Sequence, residues 1–111
     1  MRLHEKTAII TGASSGLGRA MARRFAAEGA HVFLADMDTT PREGGAPTVE
    51  VIAEEGGSAT FMRCDVSRWE DVDAVVSAAV AARGRLDIMV NNAMTGRYPP
   101  KRLTDTTLEH W

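Results

Sequence analysis

Eight consecutive residues, Thr11-Gly12-Ala13-Ser14-Ser15-Gly16-Leu17-Gly18, carry the strongest chemical signal in this chain. They follow an apolar strand-like run, Ala8-Ile9-Ile10, and open a helix-like one. Glycine has no side chain, so a glycine-rich turn bends tightly and brings backbone N–H groups close to a ligand. The first amides of the following helix have no intrahelical partner and carry partial positive charge, so together they attract a phosphate. A second apolar run ends in an acid, Asp36, 18 residues after Gly18. Strand, glycine turn, helix, strand and acid in that order are what a dinucleotide requires: amides for the diphosphate and a carboxylate for the sugar hydroxyls.

A carboxylate at Asp36 accepts hydrogen bonds from the 2′ and 3′ hydroxyls of an adenosine ribose and repels a 2′-phosphate, so NAD is expected over NADP. Arg42, close by in sequence, is the residue that could turn toward a 2′-phosphate and support NADP or dual use.

The spacing of the glycines is T-G-x-x-x-G-x-G rather than the commoner G-x-G-x-x-G. With Cys64-Asp65-Val66 after a third strand and Asn91-Asn92-Ala93 after a fourth, it resembles the short-chain dehydrogenase/reductase family over nearly all 111 residues. The resemblance implies an NAD- or NADP-dependent oxidoreductase that moves a hydride between the nicotinamide and an alcohol or carbonyl carbon. The cofactor-binding set it implies is Gly12, Ser14, Ser15, Gly16, Leu17, Gly18, Asp36, Met37, Asp65, Val66, Asn92 and Ala93. Within that set, Asp65 and Val66 would flank the adenine, and Asn92 and Ala93 would lie along the nicotinamide-side ribose. Ser15 and Met37 stand where NADP users of the family often carry a basic residue. Members are usually considerably longer and commonly homo-oligomeric, so the resemblance casts residues 1–111 as one dinucleotide-binding domain, incomplete at its C-terminus.

Two departures qualify this. The family pattern Asn-Asn-Ala-Gly reads Asn-Asn-Ala-Met here, so Met94 brings a side chain to a place where glycine would let the backbone run close to the cofactor. The family's proton-transferring Tyr, with a Lys four residues later, has no counterpart. The lone tyrosine, Tyr98, has Arg102 at that position, and Lys101 stands three residues on, behind Pro99-Pro100, which forbid the helix needed to align the two side chains. No catalytic residue is therefore assigned. One rival reading is a non-catalytic nucleotide-binding fragment or pseudo-enzyme. Another, a methyltransferase of similar sheet order, is disfavoured by the glycine spacing and by Asn91-Asn92-Ala93.

The elements that must position these residues alternate. Residues 7–11 and 31–35 read as continuous apolar strands, the pattern of parallel strands buried on both faces. Between them a helix places Leu17, Met21 and Phe25 at i, i+4 and i+8, the stripe expected against the sheet, and Gly29 stands where a left-handed cap is expected. Residues 37–47 form a long loop, 48–55 a short helix stopped by Gly56-Gly57, and 59–63 a third strand. Ser67-x-x-Glu70 matches a capping box before a helix carrying Val72, Val75, Val76, Ala79 and Val80, ended by Gly84. Residues 86–90 give a fourth strand, 94–104 a loop, and Thr106-x-x-Glu109 a second capping box. The expected fold is α/β, a doubly wound Rossmann-like parallel sheet of order 3-2-1-4, truncated before the remaining strands, with ligands at the switch point between strands 1 and 4. Strand 4 would then be an exposed edge.

Composition sets outer limits. A hydrophobic fraction of 44% with 25% charged residues is that of an ordinary globular domain, and a net charge of −2 gives no reason to expect nucleic acid or an anionic membrane as partner. The lone cysteine, Cys64, cannot form an intrachain disulfide and reads as a small buried thiol in a reducing, cytoplasmic setting. No apolar run approaches the ~20 residues of a membrane span, and a strand beginning near Thr7 leaves no room for a signal peptide. His4, His31 and His110 share no metal-ligand spacing. Trp69 and Trp111 read as packing anchors, and Arg97, Lys101 and Arg102 as a solvated basic cluster.

Overall fold

The computed structural model describes residues 2–93. The expectations for Met94, Tyr98 and its basic neighbours, the second capping box and Trp111 lie outside the described residues. Four strands and three helices alternate: β1 (Thr7–Thr11), α1 (Gly16–Ala27), β2 (His31–Asp36), α2 (Thr48–Glu54), β3 (Ser58–Arg63), α3 (Trp69–Arg83) and β4 (Ile88–Val90). The sheet is parallel throughout and ordered β3-β2-β1-β4. This is a Rossmann-like arrangement. Residue 7 pairs with 31 and 31 with 58, so Thr11, Asp36 and Arg63 finish together on one rim, joined by the end of β4 at Val90.

β1 is buried at all five positions, and β2 at Val32, Phe33, Leu34 and Ala35, because helices cover both sides of the sheet. On one side Ile10, Val32, Leu34 and Ile52 form a core with Ala22 and Ala26 of α1. On the other, Ile9, Phe33 and Ala35 pack with Val75 and Ala79 of α3. β4 sits at the sheet edge with all three residues half-buried. Asp87 ties its approach to β1: the Thr7 amide donates to Asp87 Oδ2 at 2.8 Å, and the Asp87 amide donates to the Thr7 carbonyl at 2.9 Å.

Three local expectations are corrected. The sheet-facing stripe of α1 is Gly18, Ala22 and Ala26, not Leu17, Met21 and Phe25. Leu17 is 67% exposed, while Met21 and Phe25 pack at the flank of the core. The helix begins so close to the sheet that only small side chains fit beneath it.

The Ser67-x-x-Glu70 capping box does not form either. α3 starts one residue later, after Arg68, with no side-chain cap, because Asp65 captures Ser67: its Oδ1 accepts from the Ser67 amide at 2.9 Å and from the Ser67 hydroxyl at 2.6 Å. Trp69 is 71% exposed and anchors nothing among the described residues. The glycine stops are as expected, with Gly29, Gly56 and Gly84 at φ of 99°, 84° and 76°.

Candidate functional site

The rim where the parallel strands finish holds a cleft of about 710 Å³. Its walls come from the glycine turn (Gly12, Ser15, Gly16, Leu17), the end of β2 (Asp36, Met37), Arg42 of the following loop, Cys64-Asp65-Val66-Ser67 after β3, and Asn92-Ala93 after β4. Segments up to 81 positions apart in sequence thus converge on one space, at the point where the sheet runs outward from β1 in both directions.

The turn is built on close approach. A Cβ on Gly18 would run into the Gly12 carbonyl oxygen and stand 2.7 Å from both the Gly12 carbonyl carbon and Asn92 Nδ2. Gly12 has φ +68°, and a Cβ there would lie 2.9 Å from Asn92 Nδ2 and 3.1 Å from Ala93 Cα. Both positions therefore admit only glycine without rearrangement. Asn92 earns its place through the same contacts. Its amide and that of Ala93 donate to Thr11 Oγ1 at 2.9 and 3.0 Å, that hydroxyl donates to the Val90 carbonyl at 3.3 Å, and Asn92 Nδ2 reaches the Gly12 carbonyl at 3.5 Å. One hydroxyl at the end of β1 thus fixes the chain leaving β4.

Asp36 closes β2 with its carboxylate aligned by the backbone. Oδ2 accepts from the Ser14 amide at 2.9 Å and Oδ1 from the Met37 amide at 2.7 Å. Each oxygen retains a lone pair for a further donor. Ser14 stands behind the wall rather than in it: it is buried, and its hydroxyl donates to the Asp38 carbonyl at 2.5 Å. Gly18 likewise shapes the turn from beneath. Leu17 and Met37, 67% and 50% exposed, form apolar lips.

Asp65 lines the cleft with Oδ1 already engaged by Ser67, and these hydrogen bonds, assisted by Arg68 and Arg63, hold its carboxyl below the usual carboxylate range. Cys64 borders the same space, its burial and the nearby Asp71, Asp65 and Asp36 carboxylates pushing the thiol up.

Three contributors are not legible in the sequence as parts of the site. Ser67 enters the wall because Asp65 folds it back. Glu43, in the loop after β2, accepts from the Gly16 amide at 2.9 Å, and no spacing rule connects residues 27 apart across a loop. Thr48, buried at the start of α2, donates to the Ala13 carbonyl at 2.9 Å and fastens the turn from below.

The sequence profile described as short chain dehydrogenase matches residues 6–111. The chain belongs to the short-chain dehydrogenase family. Among similar short-chain dehydrogenases, 3beta-hydroxysteroid dehydrogenase 1 of Eggerthella lenta is 50% identical over 91 residues, covering 82% of this chain and 34% of that protein. The mitochondrial borneol dehydrogenase of Lavandula x intermedia is 40% identical over 107 residues, covering 96% of this chain and 38% of that protein. A metagenomic short-chain oxidoreductase crystallised with NADP superposes with a TM-score of 0.77 at 33% identity, over 97% of this chain and 47% of that one. The chain thus spans about a third of the length of these curated short-chain dehydrogenases.

The residues present fit the nicotinamide dinucleotide, NAD or NADP, that such enzymes use. The cleft has a turn that admits no Cβ at Gly12 or Gly18 and, at the end of β2, a carboxylate oriented by two backbone amides. Among the described residues, no helix is long and apolar enough to cross a membrane.

Proposed function

We propose that this chain is the cofactor-binding part of an NAD-dependent oxidoreductase that interconverts a small alcohol and its carbonyl compound. The single observation that carries the cofactor preference is the Asp36 carboxylate, held at the cleft wall by the Ser14 and Met37 amides. A carboxylate so oriented accepts from both ribose hydroxyls and repels a phosphate in place of one of them. Neither Ser15 nor Met37, its neighbours in the wall, offers a positive charge.

When bound, the nicotinamide supplies the hydride acceptor or donor. The protein binds and orients. In this proposal the amides of Ser15 and Leu17 face the diphosphate, Asp65 and Val66 border the adenine, and Asn92 and Ala93 border the second ribose, with Gly12, Ser14, Gly16 and Gly18 shaping the turn. Leu17 and Met37 restrict water at the lips. The substrate class rests on the relatives, whose names specify a hydroxysteroid and borneol, both alcohols. The groups that would handle the substrate proton, and the helices of a homo-oligomer, are assigned to a longer protein of which residues 1–111 form one domain. A cytoplasmic location belongs to the same proposal, supported by a lone buried thiol that needs no oxidising compartment.

Calorimetric titration with NAD, NADP and S-adenosylmethionine tests the binding claim. NAD should bind at least about tenfold tighter than NADP, as expected from one close like-charge repulsion, and S-adenosylmethionine should not compete. Equal affinity for NAD and NADP would instead favour dual use, which the position of Arg42 in the cleft wall supports. Hydride transfer in the longer protein alone fits an enzyme. NAD binding with turnover in neither form would favour a non-catalytic nucleotide-binding module.

A further inference from the structure

The loop between β2 and α2 is fastened along the glycine turn rather than standing free of it. The Ser14 hydroxyl donates to the Asp38 carbonyl, the Arg42 amide donates to Ser15 Oγ at 2.8 Å, and the Gly16 amide donates to Glu43 Oε2 at 2.9 Å. Beyond these ties Gly44 and Gly45, at φ +87° and +92° with open space about them, let the chain double back toward α2. Two carboxylates consequently bracket Ser15 through the backbone on either side of it: Asp36 on the Ser14 amide, Glu43 on the Gly16 amide.

Ser15, Asp36, Met37 and Arg42 together make the wall of the cleft at its sugar end. A phosphate esterified to a sugar hydroxyl at Asp36 has to project into the space these residues enclose. Arg42, a residue of the same wall, carries a cationic side chain that would welcome it. Glu43 follows Arg42 in sequence and sets a full negative charge against the adjoining Gly16 amide, occupying a backbone donor a phosphate could otherwise use.

We infer that Glu43 is a specificity-determining residue, a second carboxylate that disfavours a 2′-phosphate at the sugar end of the cleft while leaving the unphosphorylated ribose unaffected. The inference rests on the proposed seating of the adenosine ribose at Asp36. It assigns to a loop residue a share of the discrimination otherwise ascribed to the end of β2.

The test compares ADP-ribose with 2′-phospho-ADP-ribose, neither of which needs the nicotinamide end of the site, by calorimetry on the full chain. Glu43 is exposed, so Glu43→Gln and Glu43→Lys leave the core untouched. Glu43→Gln should strengthen binding of the phosphorylated ligand relative to the plain one by roughly threefold to tenfold at low salt, with a smaller gain at high salt. Glu43→Lys should extend the same trend. An unchanged ratio in both variants, alongside a changed ratio in Asp36→Asn, would overturn the role of Glu43 and leave the ribose reading intact. A ratio indifferent to Asp36→Asn as well would remove the ribose reading itself. Equal weakening of both ligands in Glu43→Gln would reduce Glu43 to a loop fastener and end the inference.

Discussion

The Ser14 amide and the Asp36 carboxylate, 22 residues apart in sequence, are joined by a hydrogen bond of 2.9 Å that links the glycine turn to the end of β2. The bond couples two functions that sequence motifs treat separately. The group that would recognise the sugar also holds the loop that would receive the diphosphate, so neither can shift without the other.

Asp36→Ala should therefore do more than change cofactor choice. It removes the acceptor of two backbone amides, those of Ser14 and Met37, and the former is partly buried. A loss of about 1–3 kcal/mol in unfolding free energy is expected from the unsatisfied amide. Asp36→Asn keeps an acceptor and should lose less, while still narrowing the gap between NAD and NADP. Urea unfolding paired with titration of both dinucleotides separates the two effects; equal stability of the Ala and Asn variants would count against the coupling.

Gly18→Ala places a methyl group against the Gly12 carbonyl and 2.7 Å from Asn92 Nδ2. Those neighbours are backbone and a tethered side chain, so relief requires the helix to move away from the turn. Destabilisation of about 1–3 kcal/mol is expected, together with loss of dinucleotide binding. Retention of wild-type affinity in a folded Gly18→Ala protein would show that the turn tolerates displacement.

His31 should make stability fall on mild acidification. Burial, and secondarily the positive charge of Arg83, hold its imidazole below the ordinary value of 6.5. Its ring also meets the Ser58 hydroxyl, Thr60 Oγ1 at 3.0 Å and the ring of Phe33 at 4.9 Å. With the folded value below the unfolded one, the unfolded chain binds the proton more readily. Stability is then fully present above the unfolded value of 6.5 and is lost as pH falls through the lower folded one. Urea midpoints measured downward from neutral pH should decline through this window, and His31→Gln should flatten the decline. A midpoint as steep in the variant as in the wild type would assign the effect to other groups.

Cys64 is 2% exposed and its thiol is raised above the usual range by burial, then by Asp71, Asp65 and Asp36. Since only the thiolate is nucleophilic, alkylation at neutral pH should run at least about tenfold slower than for a free cysteine. The residue also borders the cleft, so NAD should slow the reaction further. Rapid alkylation unaffected by NAD would place the thiol outside the site.

The sequence was most legible where one residue type answers one physical demand. The apolar runs of β1 and β2 follow from burial on both faces, and the stops at Gly29, Gly56 and Gly84 follow from a backbone conformation that side chains disfavour. The parallel order β3-β2-β1-β4 followed from strands alternating with helices and from the handedness of their crossovers. Legibility failed where neighbours compete for the same group. Ser67 could cap a helix or close a turn on Asp65, and the nearer carboxylate took it. The stripe of α1 was misread by one position because apolar size suggested Leu17, Met21 and Phe25, whereas the approach of Gly18 to Gly12 favours small residues beneath the helix. Glu43 was invisible because its partner is a backbone amide, which leaves no signature in residue types.

All four strands among the described residues point the same way, so the chain leaves each of them at the rim carrying Asp36 and enters each of them at the opposite rim. Tolerance to change is therefore unevenly distributed over the molecule. Segments such as 37–47 can diverge in length and charge without disturbing the apolar layers below, so new ligand preferences can arise by editing one end while the scaffold is inherited intact.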